Sequence, residues 1–180
     1  MGTIEAWMGM VSPSTFINAH IRERAIREIY LRNFGICIEA SQPMTIMTSY
    51  NLVNGVHAAN CYDTITCYAR EECGFKGYVM TDWFTSNLNV SSTMAKPNPI
   101  YPCSSSPLCI YAGNDVQMPG CEGNIEDIIR AVKDGSLPIA YLQRCCARLL
   151  GVAMKCASFG AVGSYNSGHK TKAFLTVKAE

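Results

Sequence analysis

The sequence carries almost no net charge and contains no long apolar run. Its 15 Lys and Arg residues and 14 Asp and Glu residues leave a net charge of +1, so nothing in the charge balance indicates a nucleic acid or an acidic lipid surface as a partner. No stretch approaches the roughly twenty apolar residues of a spanning helix, and no basic N-terminal segment precedes an apolar signal core. We therefore expect a cytoplasmic chain that binds neither nucleic acid nor membrane.

The sequence also lacks the spacings that metal and phosphate sites require. It has ten cysteines but no C-x-x-C pair, and its three histidines are scattered. Neither glycine-rich phosphate loop, G-x-G-x-x-G or G-x-x-x-x-G-K-[ST], occurs. We expect no metal and no cofactor, and we interpret the cysteines as small apolar packing residues in a reducing compartment.

Length and composition are those of one globular domain. The 180 residues are 48% hydrophobic and 16% charged, which places the chain among folded proteins that bury a core. Apolar periodicity and capping residues predict helices over 21–40, 63–72, 124–135 and 138–155, with Asn124 as an N-cap. Short β-prone runs predict strands over 44–50, 77–82 and 108–115, and the polar segment from 85 to 107 has loop composition.

Strands that alternate with helices predict an α/β fold with a parallel sheet. Such a sheet is either doubly wound or part of a (β/α) barrel. About three strands and four helices is a modest count, and an eight-stranded barrel needs around 250 residues, so a barrel of this length is a partial one.

Polar side chains follow each predicted strand, and the most informative is Asp82. This carboxylate ends a buried apolar run and is followed directly by Trp83, an acid and aromatic pair that suits a sugar, whose hydroxyls and C–H faces need both. Tyr50 follows the first strand, and Asp115 ends the third. Parallel strands would bring Tyr50, Asp82 and Asp115 to one edge. Strand-end aspartates also cap turns, and buried tryptophans are often core, so the residues alone leave these roles open.

Four blocks of the chain, taken in order, resemble the β-glucosidases of glycoside hydrolase family 3. They cover the predicted helix before the first strand, the predicted strands that lead to Tyr50 and to Asp82, and the segment around Asp115. Their sequences are ERAIREIYL at 23–31, MTSYNLVNG at 47–55, REECGFKGYVMTDW at 70–83 and AGNDVQMPG at 112–120.

The resemblance implies a retaining hydrolase that removes terminal β-D-glucosyl residues from a β-glucoside or oligosaccharide. Asp82 matches the nucleophile that attacks the anomeric carbon and forms a glycosyl-enzyme intermediate. In the family the counterpart of Tyr50 contacts that nucleophile, while the counterparts of Met47 and Trp83 line the sugar subsite. The implied fold is a partial (β/α)8 TIM-type barrel at 22–157, between an irregular segment at 1–21 and a tail at 158–180.

Three parts of the family pattern have no counterpart in this sequence. They are the Lys-His pair that precedes the helix at 23–31, the earlier barrel strands with their Asp and Arg ligands, and the separate α/β sandwich domain that supplies the acid/base glutamate. The resemblance therefore implies a barrel portion whose missing part is supplied by another chain, and which alone is inactive or weakly active. The alternative is an inactive barrel fragment that acts as a carbohydrate-binding or chain-complementing module.

Overall fold

The computed structural model describes residues 3–5, 17–86 and 103–156. Within these ranges the strands all lie in the first half of the chain, and three consecutive helices follow the last strand. The strands are β1 (Thr3–Glu5), β2 (Asn18–Ala19), β3 (Thr45–Thr48), β4 (Leu52–Val53), β5 (Val56–His57) and β6 (Tyr78–Thr81). The α- and π-helices are α1, made of Glu23–Ala25, the π-helical Ile26–Tyr30 and Arg32–Ser41; the π-helical α2 (Asp63–Glu72); α3 (Ser106–Ala112); α4 (Glu122–Lys133); and α5 (Ile139–Ala153). A short 3-10 helix, Ala58–Asn60, lies between β5 and α2.

The main sheet is parallel and has the strand order β1-β3-β6. In β3, Thr45 to Thr48 lie opposite Tyr78 to Thr81 of β6, and a further parallel bridge joins Met80 to Val116. Since α2 connects β3 to β6, the predicted alternation of parallel strands with helices is confirmed for this unit. Both strands consequently end at the same edge of the sheet.

A core lies between this sheet and helices α1 and α2. It needs small residues where elements approach closely: a Cβ on Gly35 of α1 would meet the Tyr68 hydroxyl at 2.7 Å, and that hydroxyl donates to the Leu31 carbonyl at 3.0 Å. Helix α1 ends as predicted before Pro43, at Gln42, which adopts φ 45. The buried residues of this core are Ile38, Ile46, Ile65, Ala69, Phe75, Val79 and Ala112.

A second, smaller sheet has the order β2-β4-β5. Strands β4 and β5 form an antiparallel hairpin whose turn residues, Asn54 and Gly55, have φ values of 51 and 83. Both values lie in the left-handed region that an Asn-Gly turn supplies at low cost. The turn predicted at this step is confirmed, whereas strand β2 lies within the segment 1–21 that the sequence predicts to be irregular, as does β1.

The predicted strand at 108–115 is wrong, because residues 106–112 form helix α3. Ser105 accepts a hydrogen bond from the Leu108 amide at the N-cap, Pro107 occupies the first turn, and Gly113 closes the helix with φ 109. Burial follows a helical period, with Cys109 and Ile110 buried and Leu108 exposed. Capping and burial thus outweigh the β propensity of the central residues.

Helices α4 and α5 pack on α3 around a second core of Ile110, Ala131, Leu137 and Cys145. Both helices occur where the sequence predicts them. The predicted cap is wrong, however: α4 begins after Cys121, and Asn124 lies buried in its first turn. The side-chain amide of Asn124 donates instead to the Ser106 hydroxyl at 2.7 Å, so this side chain joins α4 to α3.

The remaining predictions fall outside the described part of the chain. They are most of the polar loop, at 87–102, and the tail at 158–180. Among the helices of residues 17–86 and 103–156, none combines the length and the apolar character that crossing a bilayer would require.

Candidate active site at the end of strands β3 and β6

Asp82 follows β6 directly and extends its pairing with β3. Its amide donates to the Thr48 carbonyl at 3.1 Å, and the Trp83 amide donates to the Asp82 carboxylate at 2.7 Å. The side chain is half-buried. A backbone N–H directed at a carboxylate is a charge-assisted hydrogen bond, which favours the ionised acid in one orientation.

Tyr50 lies beside Asp82 because their strands are neighbours in register. Thr48 of β3 is opposite Thr81 of β6, so the residues that follow each strand meet at one edge. Burial raises the pKa of Tyr50 well above its usual value, and the negative charge of the neighbouring Asp82, with hydrogen bonding to its carboxylate, raises it further. The phenol therefore stays protonated and remains a donor to the carboxylate at neutral pH.

The turn that carries Asp82 is held by buried threonines on both sides. The Thr81 hydroxyl accepts from the Met118 amide at 3.0 Å, and the Thr85 hydroxyl donates to the Asp82 carbonyl at 2.8 Å. Phe84, between them, adopts φ 61, a conformation that non-glycine residues rarely occupy and that tertiary contacts must maintain. Sequence reasoning missed Thr81 and Thr85; their only signal was their position on either side of the acid.

Trp83 and Met47 occupy different surroundings. Trp83 is 44% exposed, so part of its ring is open to solvent next to Asp82. Met47 is half-buried in β3 and lines an apolar cavity of about 80 Å³ between the sheet and helices α1 and α2. The residues that line this cavity do not include Asp82, Tyr50 or Trp83. The structure thus brings Tyr50 and Asp82 together and places Met47 against a separate space.

Asp115 does not join Tyr50 and Asp82, so the prediction that these three residues share one edge is wrong. Because 106–112 is helical, Asp115 enters the sheet beside Val79, whose amide donates to the Asp115 carboxylate at 2.8 Å. Val79 precedes Asp82 by three residues, or roughly 10 Å along the strand.

The carboxylate of Asp115 is instead the centre of a buried ion cluster. It accepts from Arg70 at 2.6 Å and from Arg148 at 3.1 Å, and its side chain has no exposed surface. Burial lowers the pKa of Arg70 to about 10, which still leaves the guanidinium charged at neutral pH. Both carboxylate oxygens of Asp115 accept hydrogen bonds, from Arg70 and the Val79 amide on one and from Arg148 on the other, so its role is structural.

Within the described ranges, no group of three or more His, Cys, Asp or Glu side chains is arranged to hold a metal ion. The chemistry available at this edge is that of a carboxylate held by the Trp83 amide, next to the Tyr50 hydroxyl and a partly exposed aromatic ring. Such a carboxylate can act as a nucleophile toward an electrophilic carbon or as a base.

Comparison with known proteins places these residues within one family. The model of the family described as "Glycosyl hydrolase family 3 N terminal domain" matches residues 14–152. A β-glucosidase of Ruminococcus albus is 36% identical over 141 residues, a match that covers 77% of this chain and 14% of the relative. An exo-α-(1→6)-L-arabinopyranosidase of Bifidobacterium breve is 32% identical over 149 residues, a match that covers 83% of this chain and 17% of the relative.

Solved structures agree with the sequence matches. The structure of β-glucosidase 3B from Thermotoga neapolitana in complex with glycerol superposes with a TM-score of 0.69 at 31% identity. The superposition covers 83% of this chain and 20% of that one. The chain therefore spans about one fifth or less of the length of these relatives.

Proposed function

The chain belongs to glycosyl hydrolase family 3, and on that premise we propose that it carries the nucleophile of a retaining glycoside hydrolase acting on terminal β-D-glucosyl residues. The Asp82 carboxylate attacks the anomeric carbon as the glycosidic C–O bond breaks, and the leaving oxygen takes a proton from a second carboxyl group. Water, deprotonated by that same group, then hydrolyses the glycosyl ester and regenerates Asp82.

The observation that carries this proposal is the position of Tyr50 beside the Asp82 carboxylate at the common end of β3 and β6, where the charge of Asp82 adds to burial in raising the pKa of the tyrosine. The Trp83 amide donates to the same carboxylate, so the groups next to Asp82 favour the anion and fix its direction. A nucleophilic carboxylate needs both properties, because it must be charged before the reaction and aligned with the anomeric carbon.

The sugar-binding roles of Trp83 and Met47 are part of the same proposal. The exposed face of Trp83 can pack against the C–H face of a pyranose whose anomeric carbon lies over Asp82. Met47 is on β3, three residues before Tyr50, and we assign it to the wall of the subsite.

We further propose that the chain forms part of a (β/α)8 barrel and works with a portion supplied by other residues. Three strands and the bridged segment at Val116 account for only part of an eight-stranded sheet. The relatives are several times longer than this chain. The carboxyl group that protonates the leaving oxygen, expected about 5 Å from the nucleophile in a retaining enzyme, would come from that further portion.

The nucleophile can be tested without its acid/base partner. A 2,4-dinitrophenyl 2-deoxy-2-fluoro-β-glucoside has a leaving group that departs without protonation, so the first chemical step needs only the carboxylate. The fluorine slows hydrolysis of the resulting ester, which lets the adduct accumulate. We expect mass spectrometry to find one added fluoroglucosyl group, located on the peptide that contains Asp82.

Two variants make this experiment decisive. Asp82→Asn should take up no label, because the amide is a poor nucleophile. Asp127→Asn, which alters an exposed carboxylate on α4 paired with Arg130, should label as the parent chain does. Unlabelled parent protein, or equal labelling of Asp82→Asn, would contradict the proposed nucleophile. The arabinopyranosyl analogue of the reagent tests the sugar preference, since a relative is named for that sugar.

A second candidate is a module that binds carbohydrate, or completes a catalytic unit, without its own turnover. The observation that favours it is the short span of the chain relative to its family. Glucose should then change the tryptophan fluorescence of the parent chain but not of Trp83→Phe, and the fluoroglucoside should leave no adduct. Labelling at Asp82 would exclude this alternative.

A further inference from the structure

The peptide unit between Asp82 and Trp83 is held at both of its ends. Its carbonyl oxygen, on Asp82, accepts the Thr85 hydroxyl at 2.8 Å and the Thr85 amide at 3.4 Å. Its N–H, on Trp83, donates to the carboxylate of Asp82 at 2.7 Å. Because a peptide unit is planar and rigid, fixing the direction of the carbonyl also fixes the direction of the N–H.

Thr85 is well placed to fix that plane. It is buried, with 4% of its surface exposed, and its own carbonyl accepts from the Ser104 amide at 3.1 Å, which ties it to the segment before α3. The neighbouring Ser86 and Ser104 hydroxyls are 3.0 Å apart. The turn is therefore anchored to the segment before α3, through a residue distant in sequence.

The turn has no local preference that would replace this anchor. Phe84 adopts φ 61, and its amide donates to the Met118 carbonyl at 2.8 Å. A non-glycine residue leaves the left-handed region readily once the contacts around it are lost. Of the two bonds from Thr85 to the Asp82 carbonyl, the hydroxyl bond is the shorter, so it is the main contact to that oxygen.

We propose that Thr85 is a positioning residue for the Asp82 carboxylate, a role that rests on the function proposed above. Its hydroxyl holds the peptide plane from the oxygen end, and the N–H at the other end of the same plane holds the carboxylate. Without the hydroxyl the plane can rotate, the Trp83 amide loses its alignment with the carboxylate, and the nucleophile leaves the direction needed for attack.

The test compares three variants with the parent chain. Thr85→Val removes the hydroxyl and nearly preserves the shape, Thr85→Ser restores a hydroxyl, and Thr66→Val is the matched control. Thr66 is also 4% exposed, and its hydroxyl also donates to a backbone carbonyl, that of Ala112, at 2.8 Å. It lies on α2 away from the turn, so its loss reports only the cost of deleting a buried hydroxyl.

Two quantities are measured on each variant: the rate of labelling by the dinitrophenyl fluoroglucoside, and hydrogen exchange of the Trp83 amide by NMR. We expect Thr85→Val to label on the order of 10- to 100-fold more slowly, the size of effect that misalignment of a reacting group produces. Its Trp83 amide should exchange faster. Thr85→Ser should recover both, and Thr66→Val should match the parent chain in both.

Labelling of Thr85→Val at the parent rate, or an equal loss in Thr66→Val, would overturn the inference. If the parent chain takes up no label, the proposed function fails, yet the exchange measurement still decides this inference. Unchanged protection of the Trp83 amide in Thr85→Val would then show that Thr85 does not hold the peptide plane.

Discussion

Replacing Asp115 with asparagine removes the only carboxylate that Arg70 and Arg148 are seen to share in the described structure. The Asp115 side chain has no exposed surface, that of Arg70 is 7% exposed and that of Arg148 is 18% exposed. The variant keeps one acceptor oxygen but leaves two guanidinium groups without their counter-charge. Breaking a buried ion pair by removing one partner costs about 3–5 kcal/mol.

The structure indicates the lower end of that range. Arg70 keeps two neutral acceptors, the Gly77 carbonyl at 2.9 Å and the Gly113 carbonyl at 3.2 Å, and Arg148 is close enough to solvent to rehydrate. We therefore expect Asp115→Asn to lower the free energy of unfolding by about 3 kcal/mol. With a urea slope of about 2 kcal/mol/M, the unfolding midpoint falls by about 1.5 M.

Urea unfolding followed by circular dichroism measures this loss, and Asp127→Asn is the matched control. Asp127 pairs with Arg130 one turn along α4, and both side chains are largely exposed, so its loss should cost less than about 0.5 kcal/mol. Equal small losses in the two variants would refute the structural role of Asp115. A stable Asp115→Asn that loses fluoroglucoside labelling would return Asp115 to the active site.

Three further predictions follow from single residues. Asp82→Asn should lower the pKa of Tyr50 but leave it above the usual value for tyrosine, because burial raises this pKa more than the charge of Asp82 does. NMR titration of labelled tyrosine measures the change, and an unchanged pKa would contradict the contact between Tyr50 and Asp82. Burial lowers the pKa of His57 to about 4, below its value of about 6.5 in an unfolded chain, so the unfolded state binds the proton first and stability should fall as the pH drops from about 6.5 to 4. In His57→Asn the urea midpoint should depend less on pH across that range. An equal pH dependence in the parent chain and the variant would exclude His57 as the cause. A Cβ on Gly77 would lie 2.2 Å from a backbone carbonyl oxygen, so Gly77→Ala should lower the free energy of unfolding by about 1–3 kcal/mol or more. Gly151 faces open space on α5, so Gly151→Ala should raise it by about 0.5–1 kcal/mol. The thermal unfolding temperatures of the two variants should therefore shift in opposite directions.

The parts of the fold predicted well are those whose information is local. Helix α5 follows a three-and-four spacing of apolar residues over its whole length, and α1 ends where Pro43 forbids continuation. The Asn54-Gly55 step specifies its turn through two left-handed φ values. Each of these features depends on residues within one or two turns of each other, so no knowledge of the rest of the chain is needed.

The parts that failed depend on partners far away in sequence. Residues 108–112 have strand-like composition, yet they form a helix whose Ile110 is buried against α4 and α5. Asp115 follows as a consequence: once α3 is a helix, the carboxylate enters the sheet beside Val79, 36 residues earlier, and meets Arg70 and Arg148.

The same distinction between local and long-range information applies to the candidate site. By itself the sequence determined the family, the end of β6 as the place of Asp82, and Tyr50 as its neighbour, because adjacent parallel strands deliver their ends to one edge. Only the tertiary structure decided that Asp115 stands apart, that Met47 faces a separate cavity, and that Thr85 is tied to Ser104. Those facts depend on which distant groups meet in the folded chain, and side-chain patterns along one strand or helix carry no record of that.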